Sequence, residues 1–201
     1  MPEATRRRLR LLAAGVAVFV ASTILVWGDR VPAAERELFR IINGWPDWLA
    51  VPLYPVMQFG MVVAPFVAAG VLWMLTRNRP PAVALAVAGF GTWLLAKGVK
   101  AVVDRPRPGQ LLEEVLYRLD GGPDGLGYIS GHAAVGFVIA VVATPYVGRR
   151  WAVLLWLLAA GAATLRVYVG AHLPLDSIGG AGLGVALGAA TLLVIDRRSA
   201  P

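Results

Sequence analysis

The chain has 201 residues, of which 58% are hydrophobic and 15% charged, with a formal net charge of +7 and a mean hydropathy of +0.67. Because soluble domains average about 25% charged residues, this composition excludes an ordinary soluble protein and indicates a single membrane-embedded domain over residues 1–201. The absence of cysteine excludes disulfides, thiolate catalysis and cysteine-bound metal. The basic residues lie in short clusters between apolar runs, so we expect the lipid bilayer as a partner and no nucleic acid.

Six apolar segments predict transmembrane helices, each of which needs roughly 20 residues to cross a bilayer. The predicted spans are 11–28, 54–76, 82–103, 132–147, 151–169 and 175–195. The first resembles the start of a signal peptide, but no small-x-small cleavage site follows Trp27, so we expect an uncleaved helix. Pro52, Pro55 and Pro65 predict a kink in the second span. The predicted fold class is an all-α integral membrane protein with six transmembrane helices.

The arginine clusters predict which side of the membrane each end of these spans faces. Four places on one side of the six-helix arrangement contain ten arginines, namely Arg6, Arg7, Arg8, Arg10, Arg77, Arg79, Arg149, Arg150, Arg197 and Arg198. By the positive-inside rule this side is cytoplasmic. We therefore expect a multi-pass protein of the cell (inner) membrane with both termini in the cytoplasm. Three polar motifs then lie together on the opposite, extracytoplasmic surface.

The two long outer connections, 33–48 and 108–128, are expected to lie at the membrane interface. In the second, Leu111, Leu112, Val115, Leu116 and Leu119 recur at helical spacing and predict a short amphipathic helix. The first is rich in apolar and tryptophan residues suited to the headgroup zone. Both connections could simply lie at the surface, or the second could also border the path by which a lipid enters.

The first polar motif ends the third span, where Lys100 is followed, beyond a proline break, by Arg107. Proline stops the helix and leaves the arginine on a stiff, extended segment. A guanidinium offers a planar fork of donors that matches phosphate oxygens, whereas an ammonium acts as a point charge. Taken alone, both residues, like Lys97 one turn earlier, could instead contact lipid headgroups.

The second motif, Ser130-Gly131-His132, opens the fourth span. Free backbone N–H groups at a helix start bind anions, and Gly131 would let a phosphate approach the backbone closely. Ser130 can donate its hydroxyl proton to phosphate or simply cap the helix. We expect His132 to face the same oxygens.

The third motif places His172 four residues before Asp176, so both share one face of a helix that starts near Leu173. Pro174 is tolerated in a first helical turn. The carboxylate can hold one ring nitrogen of the imidazole and leave the other free to attack. Arg166, near the end of the fifth span, can reach the same phosphate.

Two further patterns have structural interpretations. Gly180, Gly184 and Gly188 form a small-residue face that predicts close packing of the sixth span against a neighbour. Asp120 and Asp124 lie in a glycine-rich stretch and are expected to be solvated. No compact carboxylate cluster indicates a metal site.

The three motifs together resemble the signature of the type-2 phosphatidic acid phosphatase family of membrane lipid phosphatases, which shares a superfamily with vanadium-dependent haloperoxidases. The family pattern is Lys, six residues, Arg-Pro; then Pro-Ser-Gly-His; then Ser-Arg, five residues, His, three residues, Asp. The chain departs from it at Ile129, where the pattern has proline, and at Leu165, where the pattern has serine. The resemblance covers residues 11–195.

This resemblance implies a helical phosphatase core that uses no metal or other cofactor. It implies that His172 attacks phosphorus to form a phosphohistidine, that Asp176 orients His172, and that His132 protonates the leaving oxygen. The implied phosphate ligands are Lys100, Arg107, Ser130, Gly131 and Arg166. Fixed donors of this kind can replace the metal ions of other phosphoryl-transfer enzymes.

The expected function is hydrolysis of a lipid phosphate or diphosphate, with undecaprenyl diphosphate as the first substrate to test. Phosphatidic acid and phosphatidylglycerol phosphate are the alternative substrates. A lipid phosphotransferase with the same intermediate is an alternative activity. A haloperoxidase is disfavoured because six spans place the site in lipid, and a non-catalytic carrier is disfavoured because the chemical positions of the motifs are all occupied.

Overall fold

The computed structural model describes residues 1–199, with side chains as far as Arg197, and nine α-helices form most of this part of the chain. They are α1 (Glu3–Val26), α2 (Ala33–Asn43), α3 (Ala50–Gln58), α4 (Ala64–Thr76), α5 (Arg79–Val103), α6 (Pro108–Leu111), α7 (Gly131–Ala143), α8 (Arg149–Tyr168) and α9 (Pro174–Ser199). Short 3-10 turns, Asp47–Leu49 and Thr144–Tyr146, precede α3 and follow α7. The predicted all-α fold is confirmed.

Four of the described helices, α1, α5, α8 and α9, are long and apolar enough by length and composition to cross a membrane. The predicted second and fourth spans contain shorter apolar helices, Ala64–Thr76 and Gly131–Tyr146. A helix of 13 residues, the length of α4, rises only about 20 Å, which is less than the roughly 30 Å core of a bilayer. The number of six spans stays a prediction.

The second predicted span is broken, not merely kinked. Pro55 lies inside α3, Pro65 lies in the first turn of α4, and residues 59–63 turn between the two helices. The break packs closely against α7, since a Cβ atom built on Gly60 would lie 2.4 Å from the carbonyl oxygen of His132. Glycine is therefore required where the break meets the start of α7.

Helix α7 is the centre of the bundle. Its residues from Ala133 to Ala143 are buried, except Phe137. Val135, Ile139 and Val142 belong to a cluster that also contains side chains of α4, α5 and α9. Because lipid tails are as apolar as these side chains, close van der Waals packing holds helices together in a membrane bundle. Helix α7 is therefore a well-packed base for the residues at its start.

Small residues bring α9 close to two neighbours, which confirms the packing predicted for its glycine face. A Cβ atom on Gly180 or Gly184 would lie 2.4 or 2.3 Å from a backbone carbonyl oxygen of residue 130 or 134. Gly182, on the other side of α9, meets α1 in the same way, at 2.7 Å from the backbone nitrogen of Phe19. These close approaches fix α9 between α1 and α7.

The prediction of an amphipathic helix within 108–128 is wrong. Helix α6 ends at Leu111, and residues 112–130 have no helical turn. The backbone of this segment bonds to distant elements: Asn43 exchanges hydrogen bonds of 2.8 and 2.9 Å with the carbonyl and N–H of Leu116, and Arg118 N–H donates to Val169 at 3.2 Å. The apolar residues at its start pack instead against Phe39 of α2 and the end of α8.

The other outer connection contains a helix, α2, which lies at the site end of the bundle. Its buried face consists of Glu35, Phe39 and Asn43, while Leu38 and Ile41 are exposed. The expected position of this connection in the headgroup zone stays a prediction. The buried polar side chains show that α2 also belongs to the protein core.

Nine of the ten arginines counted in the sequence stand at or beside one set of helix ends: the start of α1, the α4–α5 and α7–α8 links, and the end of α9. Arg8 pairs with Asp196, which joins the start of α1 to the end of α9. The side chain of Arg198, the tenth, lies outside the described part. The three polar motifs lie at the opposite helix ends.

Candidate active site

The turn between α8 and α9 presents His172. Gly170 adopts a φ of 80°, a conformation that favours glycine, and ends the helix. The N–H groups of Ala171 and His172 both donate to the carbonyl of Arg166 at 3.1 Å. The chain thus folds back on itself and places His172 beside the end of α8.

Asp176 lies in the first turn of α9 and faces His172. Helix α9 begins at Pro174, as predicted, and Asp176 Oδ2 accepts the N–H of Leu173 at 2.8 Å, which caps the helix. The same oxygen lies 3.6 Å from His172 Nδ1. This separation exceeds a hydrogen bond, and catalytic contacts of this kind often tighten when substrate binds.

His172 is buried among positive charges. Its side chain is 4% exposed. Burial lowers the pKa of His172 well below its usual range, and the charges of Lys100, Arg166 and Arg107 lower it further. The imidazole is therefore neutral near pH 7, which is the form that can act as a nucleophile.

Arg166 makes a contact that the sequence analysis missed. Its Nη1 lies 2.6 Å from Asp120 Oδ2, in the segment between α6 and α7. The expected exposure of Asp120 is confirmed, since its side chain is 47% exposed, but its ion pair with Arg166 was not predicted. A carboxylate carries a negative charge like a phosphate oxygen. Asp120 therefore accepts a hydrogen bond from an Arg166 N–H group that a bound phosphate would need.

Lys100 and Arg107 approach the site from the end of α5 and the segment after it. Lys100 Nζ donates to the carbonyls of Leu126 and Gly127 at 2.6 and 2.9 Å, which leaves one of its three protons for another acceptor. Arg107 Nη1 donates to the carbonyl of Gly122 at 3.3 Å. Lys100 ties the segment before α7 to α5, and Arg107 ties it to the residues that follow α5.

Ser130, Gly131 and His132 form the start of α7. The hydroxyl oxygen of Ser130 accepts the N–H of Ala133 at 3.4 Å, so this serine caps the helix. No atom outside its local chain lies within 4 Å of a Cβ built on Gly131, so the space beside its backbone is open. His132 is half-buried and packs against Gly60.

Buried nitrogen atoms without a hydrogen-bond partner cluster in the candidate active site. Among the described residues they are Arg105 Nε, Arg107 Nε, Arg166 Nε and His172 Nδ1. Buried polar groups are almost always paired, so such a cluster requires an explanation. Phosphate oxygens would accept from the two candidate ligands, Arg107 and Arg166.

Arg105 and Glu35 are site residues that the sequence analysis did not single out. Arg105 is 0% exposed and its Nη1 donates to Asp176 Oδ1 at 2.6 Å. Its Nη2 donates to Glu35 Oε2 at 2.8 Å. The sequence contained one indication of the role of Arg105. A buried carboxylate such as Asp176 needs a cationic partner, and Arg105 is a cation within the first motif. No signal pointed to Glu35.

Comparisons with known proteins agree with the motifs. A family model described as "PAP2 superfamily" matches residues 79–200. A curated relative named "Putative undecaprenyl-diphosphatase YbjG", from Escherichia coli (strain K12), is 33% identical over 153 residues, which cover 72% of this chain and 74% of that protein.

Two solved structures share the fold. The crystal structure of Aquifex aeolicus LpxE superposes with a TM-score of 0.72 at 27% identity and covers 81% of this chain and 96% of that one. The crystal structure of a transmembrane PAP2-type phosphatidylglycerolphosphate phosphatase from Bacillus subtilis has a TM-score of 0.73 at 18% identity, over 92% of this chain and 96% of that one.

Proposed function

Since the chain belongs to the PAP2 superfamily, we propose that it hydrolyses undecaprenyl diphosphate, or a related lipid phosphate, through a phosphohistidine on His172. That it is a membrane lipid phosphatase follows from the family match and the relatives. The named activity of the E. coli relative favours the diphosphate. Phosphatidic acid and phosphatidylglycerol phosphate are the substrates to compare.

The observation that carries the proposal is a buried His172 beside a carboxylate and among three cations. Nε2 of the neutral imidazole attacks phosphorus, and the bond from phosphorus to the leaving oxygen breaks. An imidazolium at His132 gives its proton to that oxygen. Water then attacks the phosphohistidine, His132 takes a proton from the water, and the electron pair of the N–P bond returns to His172. The products are the dephosphorylated lipid and inorganic phosphate.

Lys100, Arg107 and Arg166 stabilise the charge that grows on the phosphoryl oxygens in this scheme. Donors that are fixed before the reaction act most strongly in a site with little water. Free N–H groups at the start of α7, beside Gly131, add backbone donors. These cations stand where other phosphoryl-transfer enzymes place metal ions, so we propose that catalysis needs no metal.

The site faces the outside of the cell membrane in this proposal, because the arginines cluster at the opposite helix ends. Lipid phosphates whose headgroups lie in the outer leaflet then reach the motifs directly. Both chain ends lie in the cytoplasm.

A phosphate-release panel on the purified protein tests the proposal. The substrates are undecaprenyl diphosphate, phosphatidic acid and phosphatidylglycerol phosphate, each with excess EDTA, with orthovanadate, and with His172→Ala as the blank. Activity should persist in EDTA and be blocked by vanadate, which mimics the five-coordinate transition state. Activity that disappears with EDTA and returns with magnesium would refute the mechanism.

Reaction in ¹⁸O-water separates hydrolysis from phosphotransfer. A hydrolase releases phosphate that carries one ¹⁸O atom per turnover. A phosphotransferase passes the phosphoryl group to another acceptor, so it forms a phosphorylated product without ¹⁸O from water and releases no inorganic phosphate.

A further inference from the structure

Glu35 and Arg105 form a buried chain of charges that ends on Asp176. Glu35 is 5% exposed, and Arg105 and Asp176 are 0% exposed. Arg105 Nη1 lies 3.2 Å from Glu35 Oε1 and 2.6 Å from Asp176 Oδ1, and Nη2 lies 2.8 Å from Glu35 Oε2. Well-packed hydrophobic residues are often as stable as a buried ion pair, so stability alone is a weak reason for three charges here.

The two carboxylate oxygens of Asp176 have different partners. Oδ1 accepts from Arg105, whereas Oδ2 accepts from the N–H of Leu173 and faces His172 Nδ1. The carboxylate can rotate only if both hydrogen bonds break. Its orientation toward the imidazole is therefore set by Arg105 and by the first turn of α9.

We propose that Glu35 and Arg105 are positioning residues of the phosphatase reaction, an inference that rests on the proposed function. They hold Asp176 as an ionised, oriented carboxylate. His172 then keeps its proton on Nδ1 and presents Nε2 to phosphorus. A hydrogen bond to the second nitrogen of a reactive or ligating histidine commonly sets its tautomer in this way.

Glu35 also sets the charge that the nucleophile experiences. When both carboxylates are ionised, Glu35, Arg105 and Asp176 together carry a net charge of −1, which favours the positive charge that grows on the imidazole as it takes the phosphoryl group. Without Glu35 the remaining two charges cancel. Without Arg105 two buried carboxylates face each other, and one of them takes up a proton because like charges disfavour ionisation.

Glu35 and Arg105 fix this chain of charges to two other parts of the fold. Its Oε1 accepts the N–H of Leu175, at the start of α9, at 2.8 Å. Arg105 Nη2 donates to the carbonyl of Arg30, just before α2, at 2.8 Å. Helix α2 lies outside residues 79–200, so a part of the chain beyond the family match contributes to the reaction centre.

The test compares Glu35→Gln, Arg105→Gln and Arg105→Lys with matched controls. Arg118→Gln removes another buried arginine, which is 9% exposed and bound to Asp47 at 2.7 Å. Asn43→Ala loosens the same helix as Glu35 without touching the charged chain. Each kcat is calculated from the concentration of folded protein.

Arg105→Gln should lower kcat by about 100-fold and Glu35→Gln by about tenfold, with KM near the wild-type value, as for other residues that orient a reactive group from behind. Arg105→Lys should recover part of the loss because it keeps the charge. Arg118→Gln and Asn43→Ala should retain kcat per folded molecule. If Arg105→Gln does not fold, Arg105→Lys and Glu35→Gln supply the comparison.

A spectroscopic measurement tests the positioning role without turnover. The chain contains two histidines, so ¹⁵N-histidine labelling in a His132→Gln background reports on His172 alone. The proton should lie on Nδ1, and Arg105→Gln should shift it toward Nε2. The inference fails if the tautomer is unchanged, if kcat of Arg105→Gln equals that of wild type, or if Arg118→Gln loses as much. A wild-type protein that releases no phosphate refutes the proposed function instead, and the tautomer measurement still decides the positioning role.

Discussion

At the residue scale, the two histidines have different surroundings and, in our proposal, different roles. His172 is almost fully buried beside Asp176, whereas His132 is half-buried at the start of α7. The depressed pKa of His172 keeps its imidazole neutral and nucleophilic down to acidic pH. We propose that proton transfer to the leaving group is the role of His132, the other histidine of the three motifs.

Substitution should separate these roles by leaving group. His172→Ala should abolish turnover of every substrate, because no phosphoenzyme can form. His132→Ala should cost roughly 10²–10⁴-fold on a lipid monophosphate, whose alkoxide leaves poorly without a proton. The loss should be smaller for a diphosphate and smallest for p-nitrophenyl phosphate. Equal losses for all three leaving groups would show that His132 only binds substrate.

Asp120 offers a second test at this scale. Because its carboxylate is paired with Arg166, substrate phosphate must compete with it. Asp120→Asn should lower KM by about two- to fivefold, the range expected for a partly exposed ion pair, and leave kcat unchanged. Glu114→Gln, which removes an exposed charge from the same segment, is the matched control. A higher KM in Asp120→Asn would mean that Asp120 holds Arg166 in place for the substrate.

At the scale of elements, the break between α3 and α4 supports the start of α7. A side chain at position 60 would collide with the backbone of His132. Gly60→Ala should therefore displace His132 and lower kcat by up to about 100-fold, since misplacement of a catalytic group by about 1 Å can have such an effect. Turnover of purified protein measures the loss.

Gly70→Ala is the control for this change. Gly70 lies in α4, and no atom outside its local chain is within 4 Å of a Cβ built there. This variant should keep wild-type kcat. Equal kcat values for the two alanine variants would show that the break does not position His132.

The long helices could be predicted because their apolar runs and arginine-rich ends are local features of the sequence. The segment 112–130 could not be predicted in the same way. Its apolar spacing is helical, but its hydrogen-bond partners Asn43 and Val169 are distant in the chain. Since local periodicity says nothing about such partners, tertiary contacts overrode it.

The site itself was only partly predictable. The eight candidate residues stand in three short motifs, and the structure gathers those motifs at one end of the bundle. Glu35, which is 70 residues from Arg105 and 141 from Asp176, carries no local sign of its partners. The ion pair of Asp120 was not predicted because a glycine-rich context indicates exposure and does not indicate a charged partner.

At the scale of the whole molecule, the arginine clusters and the site lie at opposite ends of the bundle. The chain is free of cysteine, so single cysteines can report on each end. Glu114→Cys, in the segment before α7, should react with an impermeant thiol reagent in intact cells. Asn78→Cys, between α4 and α5, should react only after the membrane is permeabilised. The reverse pattern would place the site in the cytoplasm.

The central claim is that His172 carries the phosphoryl group during turnover. Its most direct test is rapid quenching of the enzyme during hydrolysis of ³²P-labelled lipid phosphate, followed by mapping of the labelled peptide. We predict a label that is stable in alkali, lost in acid, located on His172 and absent from His172→Ala. Continued phosphate release by His172→Ala, or a label on another residue, would contradict the mechanism.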